Sequence, residues 1–216
     1  MKFYESGDSS KPVIFLFPGT CCLYSSFEHV LDGLHSYFYT ITVSYDGFDP
    51  NEKTEFYSME DECEKIEQEI KKKYDGRIKA AYGCSLGGSL VSLLIQRKRI
   101  HIEHGIIGSS DMDEAGKLVA KIQASMVVPF MYKMAHTGAL PKYMQKKLSK
   151  TDGAKRELYN GFLNMFGIGK GGSPWITKQS IYNQFYSDLV TKVQHGIDVP
   201  GTTIHVFYAT KMGKKY

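Results

Sequence analysis

The sequence predicts an open, doubly wound α/β fold with a mostly parallel sheet. Three observations carry that prediction. Short β-favouring runs alternate with amphipathic helical segments from Val13 to Asp111, the run from Val13 to Phe17 is apolar throughout, and a strand pattern returns at 203–208 after a long helical stretch. Such an alternation builds parallel βαβ units, and strands covered by helices on both faces read as continuous apolar runs.

Val13-Ile14-Phe15-Leu16-Phe17, closed by Pro18-Gly19, is the first central strand. Phe27, Val30, Leu31, Leu34 and Phe38 then recur at helical spacing, with Glu28 and Asp32 on the opposite side, so a helix packs one face on the sheet. Residues 39–45 are β-rich and end in Asp46-Gly47-Phe48-Asp49-Pro50, where Asp46 and Asp49 read as turn residues. Ser58 with Asp61 three positions on resembles a capping box, and it opens a helix with the apolar stripe Met59, Cys63, Ile66 and Ile70. Its acids gather at the start and Lys71-Lys72-Lys73 at the end, as the helix dipole favours.

A strand at 78–82 runs into Gly83-Cys84-Ser85-Leu86-Gly87-Gly88 and a helix through Leu90, Val91 and Leu94. Another strand at 105–108 ends in Ser109-Ser110-Asp111, with His101 and His104 flanking it. From 112 to 192 the alternation stops and helical segments take over, broken at 138–141 and 167–174. The expected division is an α/β core of residues 1–111 with 193–216, and an inserted helical lid of residues 112–192.

The chain has 216 residues, enough for one domain with an elaboration, and its 42% hydrophobic and 23% charged residues exclude disordered, collagen-like and disulfide-scaffold classes. Lys and Arg exceed Asp and Glu by 27 to 23, a net +4 that is no nucleic-acid footprint. No apolar run has the length of a membrane span, and the N-terminus lacks the apolar stretch of a secretory signal, so a cytoplasmic protein is expected. Cys21, Cys22, Cys63 and Cys84 show no metal-ligand spacing and are expected as free thiols.

Gly83-x-Ser85-x-Gly87 is a weak motif alone. Its place between a buried strand and a helix makes it a nucleophile elbow, a sharp turn that strains Ser85 and leaves no room for side chains at Gly83 or Gly87. The turn lifts Ser85 to a helix N-terminus, where backbone N–H groups favour negative charge. Cys84 and the Cys21–Cys22 pair raise a thiol alternative, but the elbow geometry points Ser85 into the cleft.

The sequence resembles the α/β-hydrolase superfamily. The resemblance rests on Phe17-Pro18-Gly19-Thr20, on Gly83-Cys84-Ser85-Leu86-Gly87-Gly88 and on a helical insertion before the strand at Thr203, and it covers most of the chain. It implies a sheet of the α/β-hydrolase type with a lid, an acyl-enzyme on Ser85, and an oxyanion hole from the N–H of Leu86 and that of Thr20 or Cys21, with Thr20 the choice. Where the family usually has His in the loop after the first strand, this chain has Pro18.

In chain order the family's triad runs nucleophile, acid, histidine. None of the seven histidines, His29, His35, His101, His104, His136, His195 and His205, follows the last strand, so the resemblance implies a chain lacking its C-terminal strand and histidine loop. The acid assigned by the resemblance is Asp111, after the strand at 105–108, where it serves equally well as a helix N-cap.

Within the lid, Met126, Met131, Met134, Met144 and Met165, with Phe130 and Trp175, supply deformable apolar surface suited to an acyl chain or to the lid's own core. A stripe of Ile181, Phe185, Leu189 and Val193 docks the lid. The expected activity is hydrolysis of a carboxylic ester or related small-molecule acyl substrate, with no metal or organic cofactor. Transfer of the acyl group to another nucleophile, and a non-catalytic binding protein without the triad histidine, are the alternatives. The open sheet edge at 203–208 suggests a homodimer.

Overall fold

The apolar run at 13–17 is the interior of the sheet. In the computed structural model, which describes residues 1–110, 114–140, 142–153, 156, 157, 160, 163 and 171–207, strand β2 (Val13–Phe17) lies between β3 (Tyr39–Ser44) and β4 (Arg77–Cys84), parallel to both. Strand β1 (Lys2–Ser6) borders β3 antiparallel, and β5 (His101–Gly108) and β6 (Thr203–Phe207) extend the other side in parallel. The sheet order is β1-β3-β2-β4-β5-β6. This is the mostly parallel, doubly wound α/β sheet that the sequence predicts.

Position in the sheet explains how each strand reads. β2 and β3 are almost wholly buried, and up to Ser44 every residue of both is aromatic, aliphatic or β-branched, whereas edge strand β1 is half-buried and β6 largely exposed. β1 escaped the sequence reading because Lys-Phe-Tyr-Glu-Ser is short and half polar, as an antiparallel edge strand is. His101 and His104 lie within β5 rather than flanking it, since pairing with β4 extends the strand to Arg77↔His101. Tyr208, expected to end β6, lies outside the described residues.

Helices cover the two faces unequally. On one face, α2 (Met59–Tyr74) and α3 (Leu86–Arg97) join β2 to β5 in a large cluster that contains Phe15, Phe17, Ile66, Ile70, Leu90 and Ile107. On the other face, α1 (Glu28–His35), entered through a short 3₁₀ turn at Tyr24–Phe27, helps form a small cluster of Ile14, Leu16, Phe27 and Ala80. Phe38 packs there too, although the helix ends before it. Ser58 caps α2 by accepting from Asp61 N–H at 3.1 Å, while the Asp61 carboxylate turns to Lys65 instead of closing the box.

Beyond β5 come α4 (Lys117–Thr137), which contains Pro129, then α5 (Lys142–Leu148) and α6 (Lys178–Val190). α4 ends at Gly138, in the left-handed conformation with φ 63°. α4 packs along α6, and α6 in turn reaches α2 and α3. The stripe that docks α6 is mostly polar. Ser180, Gln184 and Ser187 are buried beside Ile181, and Phe185 is only partly so. Among the described residues no helix is long and apolar enough to cross a membrane.

Candidate active site

β4 passes into α3 through Gly83-Cys84-Ser85-Leu86-Gly87. Ser85 adopts φ 53° and ψ −122°, a region that costs an L-residue about 1–3 kcal/mol. Two contacts hold the turn. Ser85 N–H donates to Gly108 O at the end of β5 (2.9 Å), and Ser85 O accepts from Gly88 N–H (2.7 Å). A Cβ at Gly83 would stand 2.0 Å from Gly87 O, and one at Gly87 would stand 2.2 Å from Phe17 O, so neither position admits a side chain. Ser85 itself is exposed at the C-terminal edge of the sheet.

The loop after β2 lies against this turn. A Cβ on Gly19 would touch Ser85 Cβ at 3.6 Å. The loop closes through Cys22 N–H to Gly19 O (3.0 Å), and Tyr45 from the end of β3 donates its hydroxyl hydrogen to Pro18 O (2.9 Å). Cys21 is left-handed at φ 60°, and its N–H donates to Gln184 Oε1 of α6 at 2.9 Å. The Cys21 amide is thereby used. Among the described residues the N–H groups of Gly19, Thr20, Leu86 and Gly87 have no acceptor, so Thr20 and Leu86 are among the amides left free beside the turn.

Gln184 and Tyr45 were not singled out by the sequence. A signal for Gln184 does exist, since Ser180, Gln184 and Ser187 recur at i, i+4 and i+7 and form a polar stripe on a docked helix. The same stripe ties α6 to the loop after β3. Ser180 Oγ accepts from Phe56 N–H (3.3 Å), and Asn183 Nδ2 donates to Phe56 O (2.7 Å).

Asp111, the candidate acid, lies outside the described residues, as does Met165. Its neighbour Ser110 is described and shares a hydrogen bond with Ser89 of α3 (3.0 Å), which brings the chain after β5 alongside the elbow helix. All seven histidines are described, and none hydrogen-bonds Ser85. His35 binds Ser6 and Thr40 (3.0 and 3.2 Å), and His205 Nε2 faces His104 Nδ1 (3.3 Å) across β5 and β6. His136 stacks on Tyr132, with ring centroids 4.9 Å apart. His29 and His195 are exposed.

The thiols are in the wrong electrostatic setting for a nucleophile. Burial pushes Cys84 up, and it pushes Cys22 up to about 12, so both stay protonated at neutral pH. Cys84 lines a cavity of about 370 Å³ on the α1 face, with Leu16, Phe27, Val30, Leu34 and Tyr82.

A second charged group lies at the end of β3. Asp46 binds both the Met1 ammonium and Lys65, Lys65 also binds Asp61, and Glu62 Oε1 stands 3.5 Å from Lys65 Nζ. The oxygens of Asp46, Asp61 and Glu62 lie within 4.8 Å of one another, with two ammonium groups already among them: this is a half-buried ion network. Burial opposes charge on Asp46, but hydrogen bonds from Lys65 and the Met1 ammonium outweigh it and hold this carboxyl below its ordinary value. Glu62 goes the other way. Burial first, and the Asp46 charge second, push it up to about 8.

Compared with solved structures, the chain aligns along most of its length with α/β hydrolases. An alpha/beta hydrolase family protein from Desulfitobacterium hafniense matches with a TM-score of 0.65 and 14% identity, covering 96% of this chain and 90% of that one. A thermophilic esterase from Thermogutta terrifontis matches with a TM-score of 0.67 and 12% identity, covering 96% and 84%. An enol-lactonase from Burkholderia xenovorans LB400 matches with a TM-score of 0.66 and 15% identity, covering 96% and 76%. No family model matches the chain, and no curated protein matches it by sequence. Likeness at such low identity shows the α/β-hydrolase fold and leaves the chemistry to the residues.

Proposed function

From the α/β-hydrolase fold, we propose that this protein is a serine hydrolase acting on a carboxylic ester or related acyl compound. One observation carries the reading. Ser85 is a non-glycine residue held at φ 53° and ψ −122°, exposed at the N-terminus of α3, by two glycines that no side chain can replace. Strain of this kind persists where the surrounding structure over-determines it, and it clusters at functional sites.

In this reading Ser85 Oγ bonds to the acyl carbon while its proton passes to a histidine oriented by Asp111, a base that none of the seven histidines of this sequence supplies in the present arrangement. Thr20 and Leu86 N–H groups hold the oxyanion, the leaving group departs with the proton, and water then releases the acid from Ser85. Residues 112–192 form a lid whose apolar side chains favour an apolar acyl group. The reaction calls for no metal or organic cofactor, and the setting is the cytoplasm.

A second reading has one observation in its favour. No histidine hydrogen-bonds Ser85 in this structure, which suits a non-catalytic protein that binds a ligand at the same edge. Intact-mass measurement after treatment with a fluorophosphonate separates the two. A single adduct that disappears in Ser85→Ala is expected; absence of any adduct on the natural sequence would leave the binding reading in its place. If an adduct forms, product analysis with competing alcohols distinguishes hydrolysis from acyl transfer.

A further inference from the structure

Charge is distributed unevenly along this chain. Residues 117–178 carry eleven Lys and Arg against two Asp and Glu, a net of +9, while the remaining residues carry 16 against 21, a net of −5. The overall +4 conceals this asymmetry. α4 opens the basic stretch, with Lys117, Lys121 and Lys133 and no acidic residue in 21 positions.

The outward face of α4 is apolar. Ala120, Ala124 and Val128 are buried, with α6 packed along the helix, and on the opposite side Leu118, Ile122, Met126 and Phe130 recur every fourth residue with exposures of 38% to 74%. Val119, 49% exposed, widens the ridge. An apolar ridge of this length on a soluble surface marks an interaction site. Three lysines and Pro129 within the helix make it one that lies on a bilayer rather than crosses it.

We propose that α4 docks this protein on an anionic lipid surface, with Leu118, Ile122, Met126 and Phe130 entering the acyl boundary and the surrounding lysines pairing with lipid phosphates and carboxylates. The two features act together. Apolar side chains alone give weak, charge-independent adsorption, and lysines alone bind any polyanion; the combination selects a surface that is both negative and apolar underneath. Two copies pairing ridge to ridge bring equally basic surroundings together, which opposes that pairing.

The test needs no catalytic activity. The full chain is sedimented with vesicles of phosphatidylcholine alone and of phosphatidylcholine with about one-third phosphatidylserine. Binding to the anionic vesicles, with partition to the neutral ones at least about tenfold weaker, is expected. Ile122→Ser with Met126→Ser changes only exposed positions, and it is expected to weaken anionic binding about tenfold or more with an unchanged circular dichroism spectrum. Lys117→Glu with Lys121→Glu is expected to bring anionic binding down towards the neutral level.

Three outcomes overturn the proposal. One is failure to bind anionic vesicles. Another is full binding by the Ile122→Ser/Met126→Ser variant, or equal binding to duplex DNA, either of which reduces the effect to polyanion adsorption. The third is self-association in sizing experiments that this variant abolishes while vesicle binding stays absent, which gives the ridge to a second copy.

Discussion

α1 and α3 each follow a parallel strand and each lie on the sheet, yet ten of the twelve residues of α3 are buried and none of the eight in α1 is. The difference comes from layering. α3 has the sheet beneath it and both α2 and α6 as neighbours, whereas α1 has the sheet on one side and water on the other, with a cavity of about 370 Å³ left between. The strained Ser85 turn stands at the head of the better-packed helix. A residue held in a costly conformation needs surroundings that cannot relax, and only the α3 face supplies them.

Glycine substitutions test this contrast most severely. Gly87→Ala in α3 drives a Cβ to 2.2 Å from the Phe17 carbonyl oxygen, where the obstacle is backbone and cannot rotate away. A loss of about 3 kcal/mol or more is expected in urea denaturation. Gly33→Ala in α1 meets nothing within 4 Å, so it gains about 0.5–1 kcal/mol from helix propensity. Equal effects from the two would erase the distinction between the faces.

Truncation of apolar side chains gives the next largest difference. Leu90 in α3 is fully buried and Val30 in α1 is 39% exposed. Leu90→Ala is expected to cost about 2–5 kcal/mol and Val30→Ala about 0.5 kcal/mol, by thermal or chemical unfolding. A Val30→Ala cost near that of Leu90→Ala would show that the open face is covered in solution.

The last test concerns charge. Glu62 in α2 is fully buried, and its carboxyl is pushed from its ordinary 4.5 up to about 8. Between those values the unfolded chain has released this proton and the folded one retains it, so rising pH favours unfolding. Stability should therefore decline from about pH 4.5 to about pH 8 and level off above, and Glu62→Gln should flatten that decline. Asp46 works in the opposite sense at lower pH, because its lowered value adds stability that is lost as the carboxyl protonates. A decline of unchanged slope in Glu62→Gln would assign the effect to other groups.

The parts of the fold that were legible in the sequence are those governed by near neighbours. The elbow at Gly83–Gly87 and the Ser58 cap show themselves within a few residues, and the central strands through their apolar composition. β1 and the full length of β5 were not legible, because an edge strand carries half a pattern and a strand end is set by its partner's register.

The sequence by itself determined the alternation of the central strands and helices, the parallel core of the sheet and the serine turn between Gly83 and Gly87. Tertiary structure alone decided which loop amides are used, since Cys21 N–H meets Gln184 from 163 residues away while, among the described residues, the neighbouring Gly19 and Thr20 N–H groups meet no acceptor. It also decided that α1 stays open, that α4 turns an apolar ridge to water, and that Glu62 keeps its proton. The physical reason is common to all of these. Propensity and periodicity act over a few bonds, whereas a hydrogen-bond partner, a covering layer or a desolvated charge exists only once distant segments have packed.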